Sequence, residues 1–241
     1  MKIVLVGYSR MGRLIESLAA NAGHTVVSSV DEKNAKRLFT LGRNADIVMD
    51  FSAPAALPFL ADCIRRTGMP LLSGTTGYTA ADMDAFRTLG AYAPVLHSAN
   101  YSIGIAVFRR MLETFSPTLL HSFDAEITEI HHNKKADAPS GTAKLLYEAI
   151  DPDHAYMPVC GREGAISPRG QKEIGIHALR GGTVAGTHTV SFFGQDEELS
   201  ITHRASSRTV FASGALAAAE ILVKNEKGFY TLDQILFGGT L

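Results

Sequence analysis

The stretch Glu129-Ile130-His131-His132-Asn133-Lys134-Lys135-Ala136-Asp137-Ala138-Pro139-Ser140-Gly141-Thr142-Ala143 gathers the side chains best suited to chemistry in this sequence. His131 can donate or accept a proton near neutral pH, and Lys135 adds a permanent cation. Ser140 is a good N-cap for the apolar-periodic residues Leu145, Leu146 and Ile150, so Gly141 and Thr142 open a helix with N–H groups facing outward. A helix N-terminus beside a cation is a site for a carboxylate. Metal chemistry fits poorly, because His131-His132 lacks the HExxH spacing and no cysteine or third histidine lies nearby in sequence. A P-loop is excluded, since GxxxxGK[ST] is absent. On spacing alone, a polar surface loop stays open as the alternative.

A second constellation lies at the beginning of the chain. Gly7-Tyr8-Ser9-Arg10-Met11-Gly12 sits between an apolar run and an amphipathic segment, the context in which a glycine turn and helix N–H groups receive a pyrophosphate. Ser9 occupies the middle glycine position of the GxGxxG pattern, so the match is partial. Asp31 follows the next strand and is placed to hydrogen-bond a ribose hydroxyl, whereas Lys33, Lys36 and Arg37 could meet a 2′-phosphate. The choice between NADH and NADPH therefore stays open at this level. Two more polar turns, Ser73-Gly74-Thr75-Thr76-Gly77 and Ser98-Ala99-Asn100-Tyr101-Ser102, follow strand-like runs, as ligand loops do in open parallel sheets. Each of these turns, taken singly, is equally readable as a plain junction.

The elements that must hold these residues fall into two patterns. Strands at 2–7, 25–30, 46–51, 71–72 and 94–96 alternate with helical spacing, which predicts a parallel sheet flanked by helices. The helix starting near Pro54 is interrupted early by Pro58, and Thr79 with Asp82 predicts a capping box. Beyond about residue 102 the order changes. A helix leads to Pro117, a strand runs over 123–130, and another helix begins near Ser140. Strands at 174–179, 187–193 and 199–203, separated by Gly181-Gly182 and Gly194-Gln195-Asp196, predict an antiparallel sheet in a second, α+β domain. The segment 151–171 reads as a mobile loop, and the alanine-rich helix over 211–223 suits either domain.

Bulk composition narrows the function classes. The 241 residues carry 23 Lys and Arg against 24 Asp and Glu, for a net charge of -1, without the basic excess of a nucleic-acid binder. Apolar runs are far shorter than the roughly 18 residues of a membrane span, and no leader pattern precedes the first strand. Two cysteines, Cys63 and Cys160, far apart and without a CxxC pair, suit a reducing cytoplasm rather than a disulfide framework or zinc.

The stretch 129–143 resembles the signature of the dihydrodipicolinate reductases, E-x-H-H-x-x-K-x-D-A-P-S-G-T-A, and matches it at every fixed position. Similarity continues through the turn at Gly7, Asp50-Phe51-Ser52 with Pro54, Gly74-Thr75-Thr76-Gly77, Ala99-Asn100-Tyr101-Ser102-Ile103-Gly104, Arg180-Gly181-Gly182, and His203-Arg204-Ala205-Ser206-Ser207-Arg208. It departs at Ser9 and between Asp31 and Asp46, positions that bear on cofactor affinity and 2′-phosphate preference. The resemblance implies NADH- or NADPH-dependent reduction of a dicarboxylate heterocycle to tetrahydrodipicolinate in diaminopimelate and lysine biosynthesis. It implies His131 as proton donor and acceptor, Lys135 as a second donor, and His132, Gly141 and Thr142 as carboxylate holders. Gly7, Tyr8, Ser9, Arg10, Met11, Gly12, Asp31, Gly74, Thr75, Thr76, Ser98, Ala99, Asn100 and Tyr101 would line the cofactor. The implied fold is α/β: a Rossmann-like dinucleotide domain from 1–102 plus 212–241, and an α+β substrate and oligomerisation domain over 103–211 carrying a mixed or antiparallel sheet, assembled as a homotetramer. Two rivals are an aspartate- or homoserine-type dehydrogenase and a non-catalytic dinucleotide sensor. The His131 to Ala143 stretch argues against both.

Overall fold

The computed structural model describes residues 1–31, 37–38, 44–164 and 168–238. They form two compact units, Met1–Ile103 with Thr209–Leu241, and Gly104–Arg208.

The first unit is built on a six-stranded parallel sheet. In chain order its elements are β1 (Lys2–Val6), α1 (Arg10–Asn21), β2 (Thr25–Val30), β3 (Ile47–Asp50), a 3₁₀ turn (Pro54–Ala56), α2 (Leu57–Thr67), β4 (Leu71–Ser73), α3 (Ala80–Leu89) and β5 (Pro94–His97). The sheet order is β11-β5-β4-β3-β1-β2, where β11 (Gly228–Tyr230) comes from the C-terminal end of the chain. From β1 the chain steps one way to β2 and then returns past β1 to β3, β4 and β5. That reversal marks a crevice at the carboxyl ends of β1 and β3. Ile3, Val4, Leu5 and Val6 are all buried, because helices cover both faces of the central strands. Val4, Val6, Val48, Leu60, Ile64, Phe86 and Val95 form one apolar layer of this core.

Local sequence explains most boundaries. Pro58 does not break α2, because the helix starts at Leu57 and places the proline in its first turn, where an N–H has no intrahelical acceptor. The capping box of Thr79 and Asp82 is present at the start of α3. Near the C-terminal end, α6 (Thr209–Leu222) belongs to this first unit, as do β11 and α7 (Leu232–Phe237). Neither β11 nor α7 stood out in the sequence. Gly90 admits β11, since a Cβ there would lie 2.6 Å from the Phe229 nitrogen.

The second unit contains α4 (Ile103–Leu119), β6 (Asp124–His131), α5 (Gly141–Ile150), β7 (Met157–Cys160), β8 (Glu173–Arg180), β9 (Gly186–Gly194) and β10 (Glu197–Ala205). Helix α4 runs past Pro117 rather than stopping there. The sheet order is β10-β9-β6-β8-β7. Strand β6 lies at its centre, antiparallel to β9 and parallel to β8, and β7 is parallel to β8. The second sheet, expected to be mixed or antiparallel, is mixed: β8 and β9 follow each other closely but β6 separates them. Strand β7 also lies inside the segment read as a loop, because its pairing partner is supplied from elsewhere in the chain. One face of the sheet packs Ala125, Ile127, Ile174, Ile176, Val190 and Phe192 against α4 and α5. Among the described residues no helix is long and apolar enough to cross a membrane.

Candidate active site and dinucleotide-binding edge

Alternation along β6 decides what faces inward. Ala125, Ile127, Glu129 and His131 are buried at successive alternate positions, so the inner face turns from apolar to charged at its carboxyl end. Glu129 is 0% exposed and His131 is 9% exposed. An ionised carboxylate so deep must be fully paired, and this one is. Arg180 Nη1 and Nη2 donate to Glu129 Oε2 and Oε1 at 2.9 and 2.8 Å, a bidentate fork. The Ser140 N–H donates to Oε1 at 3.1 Å, and His131 Nδ1 lies 2.5 Å from Oε2. Burial pushes the Glu129 carboxyl up, but the bonds from Arg180, His131 and Ser140 outweigh it and hold the group below the usual glutamate range.

Arg180 ends β8 and pairs in register with His131, while its guanidinium also donates to the Asp137 carbonyl at 2.6 Å. It therefore ties together the strand end and the loop carrying Lys135. On that loop Lys135 Nζ donates to Asp137 Oδ1 and Oδ2 at 2.6 and 2.8 Å. The Lys135 bond holds the Asp137 carboxyl below its ordinary range. An ammonium has three N–H donors, so this pair leaves Lys135 capacity for a further acceptor.

Ser140 caps α5, accepting from the Ala143 N–H at 3.2 Å. Gly141 and Thr142 form the first turn of α5, whose N–H groups the helix cannot satisfy by itself. A Cβ on Gly141 would meet nothing within 4 Å, so a ligand can approach this backbone closely. His188, on β9, brings Nε2 to 3.2 Å from Ser140 Oγ and sets its ring edge-on to His131 at 5.1 Å. Burial, followed by the neighbouring His131, pushes the His188 imidazole down to about 4, so it stays neutral beside the His131 ring. His132, the first residue past β6, is half-buried. The second unit thus brings His131, Lys135, Gly141 and Thr142 onto one end of its sheet.

Sequence reasoning missed Glu129, Arg180, His188 and Gly186 as members of this site. Glu129 was legible, because two residues apart on a strand means the same face. The other three reach the site only through the pairing of β6 with β8 and β9.

In the first unit, the ladder continues beyond the strands into the polar turns. Gly7, Phe51, Gly74 and Ser98 donate backbone bonds to Val30, Val6, Asp50 and Ser73 at 2.9, 2.8, 2.8 and 3.1 Å. Four loops thereby start side by side on the carboxyl edge of the sheet. Gly7 has φ of +85°, and a Cβ on Gly12 would lie 2.6 Å from the Gly7 carbonyl oxygen. The start of α1 is therefore pressed against the turn, and no side chain caps it. That geometry suits an anion such as a pyrophosphate. Ser9 has φ of -87°, a conformation open to any residue, so serine in place of glycine introduces no backbone strain.

Asp50 laces the loops together. It is 0% exposed and accepts from Ser52 Oγ at 2.5 Å, Ser73 Oγ at 2.7 Å and Tyr78 OH at 3.2 Å. Thr75 Oγ1 accepts the Ser52 N–H at 2.9 Å, and Tyr101 OH donates to the Ser73 carbonyl at 2.8 Å. The side chains of Thr75 and Tyr101 are thus buried props for these turns. Ser98 Oγ donates to the Asn100 carbonyl at 2.7 Å, closing the last of these turns around Ala99. Thr76 and Asp31 are exposed, as are Tyr8, Ser9 and Arg10. Lys33 and Lys36 lie outside the described residues.

Two family models, described as the N-terminus and the C-terminus of dihydrodipicolinate reductase, match residues 1–101 and 104–236. A 4-hydroxy-tetrahydrodipicolinate reductase from Staphylococcus saprophyticus is 41% identical, covering 98% of this chain and 100% of that protein. Another from an Exiguobacterium species is 39% identical, covering 98% of this chain and 95% of that one. Among solved structures, a dipicolinate-bound dihydrodipicolinate reductase from a Paenisporosarcina species superposes with a TM-score of 0.74 at 21% identity, covering 96% of this chain and 97% of that chain. The Corynebacterium glutamicum DAP dehydrogenase gives 0.57 at 11% identity, covering 96% and 92%, a likeness of fold alone. With both halves matched and relatives about 40% identical over nearly the full length, the chain belongs to the dihydrodipicolinate reductase family.

Proposed function

We infer that this chain is a 4-hydroxy-tetrahydrodipicolinate reductase, reducing the unsaturated dicarboxylate heterocycle formed from that substrate to tetrahydrodipicolinate. The observation that carries the reading is the end of β6, where a buried, oriented histidine is followed by a lysine and a helix N-terminus. A bound nicotinamide, from NADH or NADPH, supplies the hydride. Hydride addition to a conjugated imine leaves a carbon that must be protonated, and His131 is the group to do it. Lys135 assists as a second donor and meets substrate charge. His132 and the N–H groups of Gly141 and Thr142 hold the two carboxylates, since a dianion needs oriented donors and cations.

The first unit, whose bounds lie within three residues of the span 1–102 plus 212–241 expected from sequence, is the dinucleotide-binding domain, and the second, expected over 103–211, binds substrate and assembles the homotetramer. Gly7 to Gly12 would receive the pyrophosphate, Asp31 the adenosine ribose, and Gly74 to Thr76 with Ser98 to Tyr101 the remainder. Asp31 favours a free 2′-hydroxyl and the basic residues after it tolerate a phosphate, so both cofactors work. The protein acts in the cytoplasm on a small molecule, with no nucleic-acid or membrane partner.

A coupled assay with freshly generated heterocyclic substrate, following NADH and NADPH oxidation in parallel, tests this. Turnover is expected only with that substrate, and cofactor discrimination below about a hundredfold, or about 2.7 kcal/mol. Equal activity on aspartate or homoserine semialdehyde would remove the assignment.

A further inference from the structure

The His131 ring is gripped from three sides by residues to which no role has so far been given. Glu129 Oε2 holds Nδ1 at 2.5 Å, and His188 stands edge-on at 5.1 Å. On the third side Gly186 leaves room: a Cβ there would sit 3.2 Å from His131 Nε2. A carboxylate accepts and cannot donate, so the Nδ1 contact obliges the ring to carry its proton on Nδ1 when neutral. The second nitrogen, Nε2, is then the only one able to exchange a proton with a substrate.

We propose that Glu129, clamped by Arg180, is the positioning residue that fixes the tautomer and orientation of His131, making Nε2 its single reactive nitrogen. The proposal rests on His131 being the proton donor, as argued above, and adds what makes it one. Glu129 holds Nδ1 and not Nε2, so it acts on the proton-exchanging nitrogen only through the ring. Its Oε2 holds the histidine while its Oε1 accepts the Ser140 N–H at 3.1 Å, at the N-cap of α5. One side chain therefore sets the spacing between the proton-donating ring and the backbone that would hold a carboxylate.

A simple structural ion pair between Glu129 and Arg180 would need no histidine. The fork from Arg180 already occupies one lone-pair direction on each oxygen, at 2.9 and 2.8 Å, and the remaining two are spent on His131 and Ser140. The charged and titratable groups around the ring are Glu129 on its own strand, Arg180 on β8, His188 on β9, His203 on β10, and Lys135 with Asp137 on the following loop. Of these, Glu129 is the one within hydrogen-bond reach of His131 Nδ1. Arg180 keeps that carboxylate ionised and aimed.

Histidine-selective ¹⁵N labelling reads the tautomer directly and needs no substrate. Long-range ¹H–¹⁵N spectra of the wild-type protein, with His131 assigned by its loss in His131→Ala, are expected to show Nδ1 protonated and Nε2 bare in the neutral ring. In Glu129→Gln both nitrogens are expected to move to intermediate shifts, because an amide can donate or accept and no longer selects a tautomer. In turnover the same variant should lose about 10²–10⁴-fold in kcat, as when a general acid is held in the wrong tautomer. Its KM should stay within about threefold, since carboxylate-holding groups are retained. If Glu129→Gln does not fold, the wild-type spectrum alone decides. A proton on Nε2 rather than Nδ1 in the neutral wild-type ring, or a Glu129→Gln spectrum and kcat unchanged from wild type, would overturn the proposal. Absence of wild-type turnover with the expected Nδ1 tautomer would instead count against the functional reading and leave the positioning role standing.

Discussion

His131 and Lys135 differ in what surrounds them, and the difference separates their expected contributions. His131 is nearly buried and held by Glu129, whereas Lys135 sits on a loop with Asp137 as its partner. Replacing His131 by alanine should lower kcat by about 10²–10⁴-fold, the range for a lost general acid, and leave NADH affinity unchanged by fluorescence titration. Lys135→Ala should lower kcat too, and should raise KM because a cation facing a carboxylate is removed. Steady-state kinetics on both variants checks this, and near-wild-type kcat in His131→Ala would mean that the proton comes from elsewhere. Both residues were visible as types at a spacing. Glu129 was missed although strand alternation made it legible, whereas Arg180 was not legible, because nothing local says that residue 180 pairs with residue 131.

Close approach between elements, rather than side-chain chemistry, shapes the nucleotide edge. The start of α1 rests on the Gly7 turn with no room for a Cβ at Gly12, which would fall 2.6 Å from the Gly7 carbonyl oxygen. Gly12→Ala should therefore push the helix off the turn, costing about 1–3 kcal/mol of stability by overpacking. It should also weaken NADH binding, as the N–H groups of α1 no longer point where a pyrophosphate sits. Thermal melts and fluorescence titration measure the two effects, and unchanged values for both would show that the packing is looser than its geometry implies. The alternation of strand and helix here was readable from apolar runs and glycine stops. Strands β7 and β11, of four and three residues, were not, since their pairing partners supply the order that their own sequence lacks.

Across the chain, burial of ionisable groups in the second unit gives folding a pH dependence with two separable windows. His188 has its imidazole pushed down to about 4, so between about 6.5 and 4 the unfolded chain binds a proton that the folded one refuses. Stability therefore falls as pH drops through that range, by up to about 3 kcal/mol at about 1.36 kcal/mol per unit. Glu126 and Glu129 are held below the usual glutamate range, for both against the push of burial, by Arg and His partners. Their contribution is present above the unfolded value of about 4.3 and is lost only as pH falls through the lower folded values. Melting curves from pH 8 to 3.5 should show the first decline below about 6.5, and His188→Gln should flatten it while leaving the acid limb in place. An identical slope in the variant would show that another group carries the effect.

The family signature, the glycine turn, the parallel sheet and its capping signals were legible in sequence, because each is written in neighbouring residues: alternation, helical period, N-caps and the order of a motif. Tertiary structure decided which strand lies at the centre of the second sheet. It put β6 between β8 and β9, and with that put Arg180, His188 and Gly186 around His131. Strand order depends on which distant segments bury each other's backbone groups, a choice made by the whole core rather than by any local run. The inward turn from Ala125 and Ile127 to Glu129 and His131 is a local pattern. That a buried carboxylate can survive there follows from a guanidinium delivered by a strand that enters more than forty residues later.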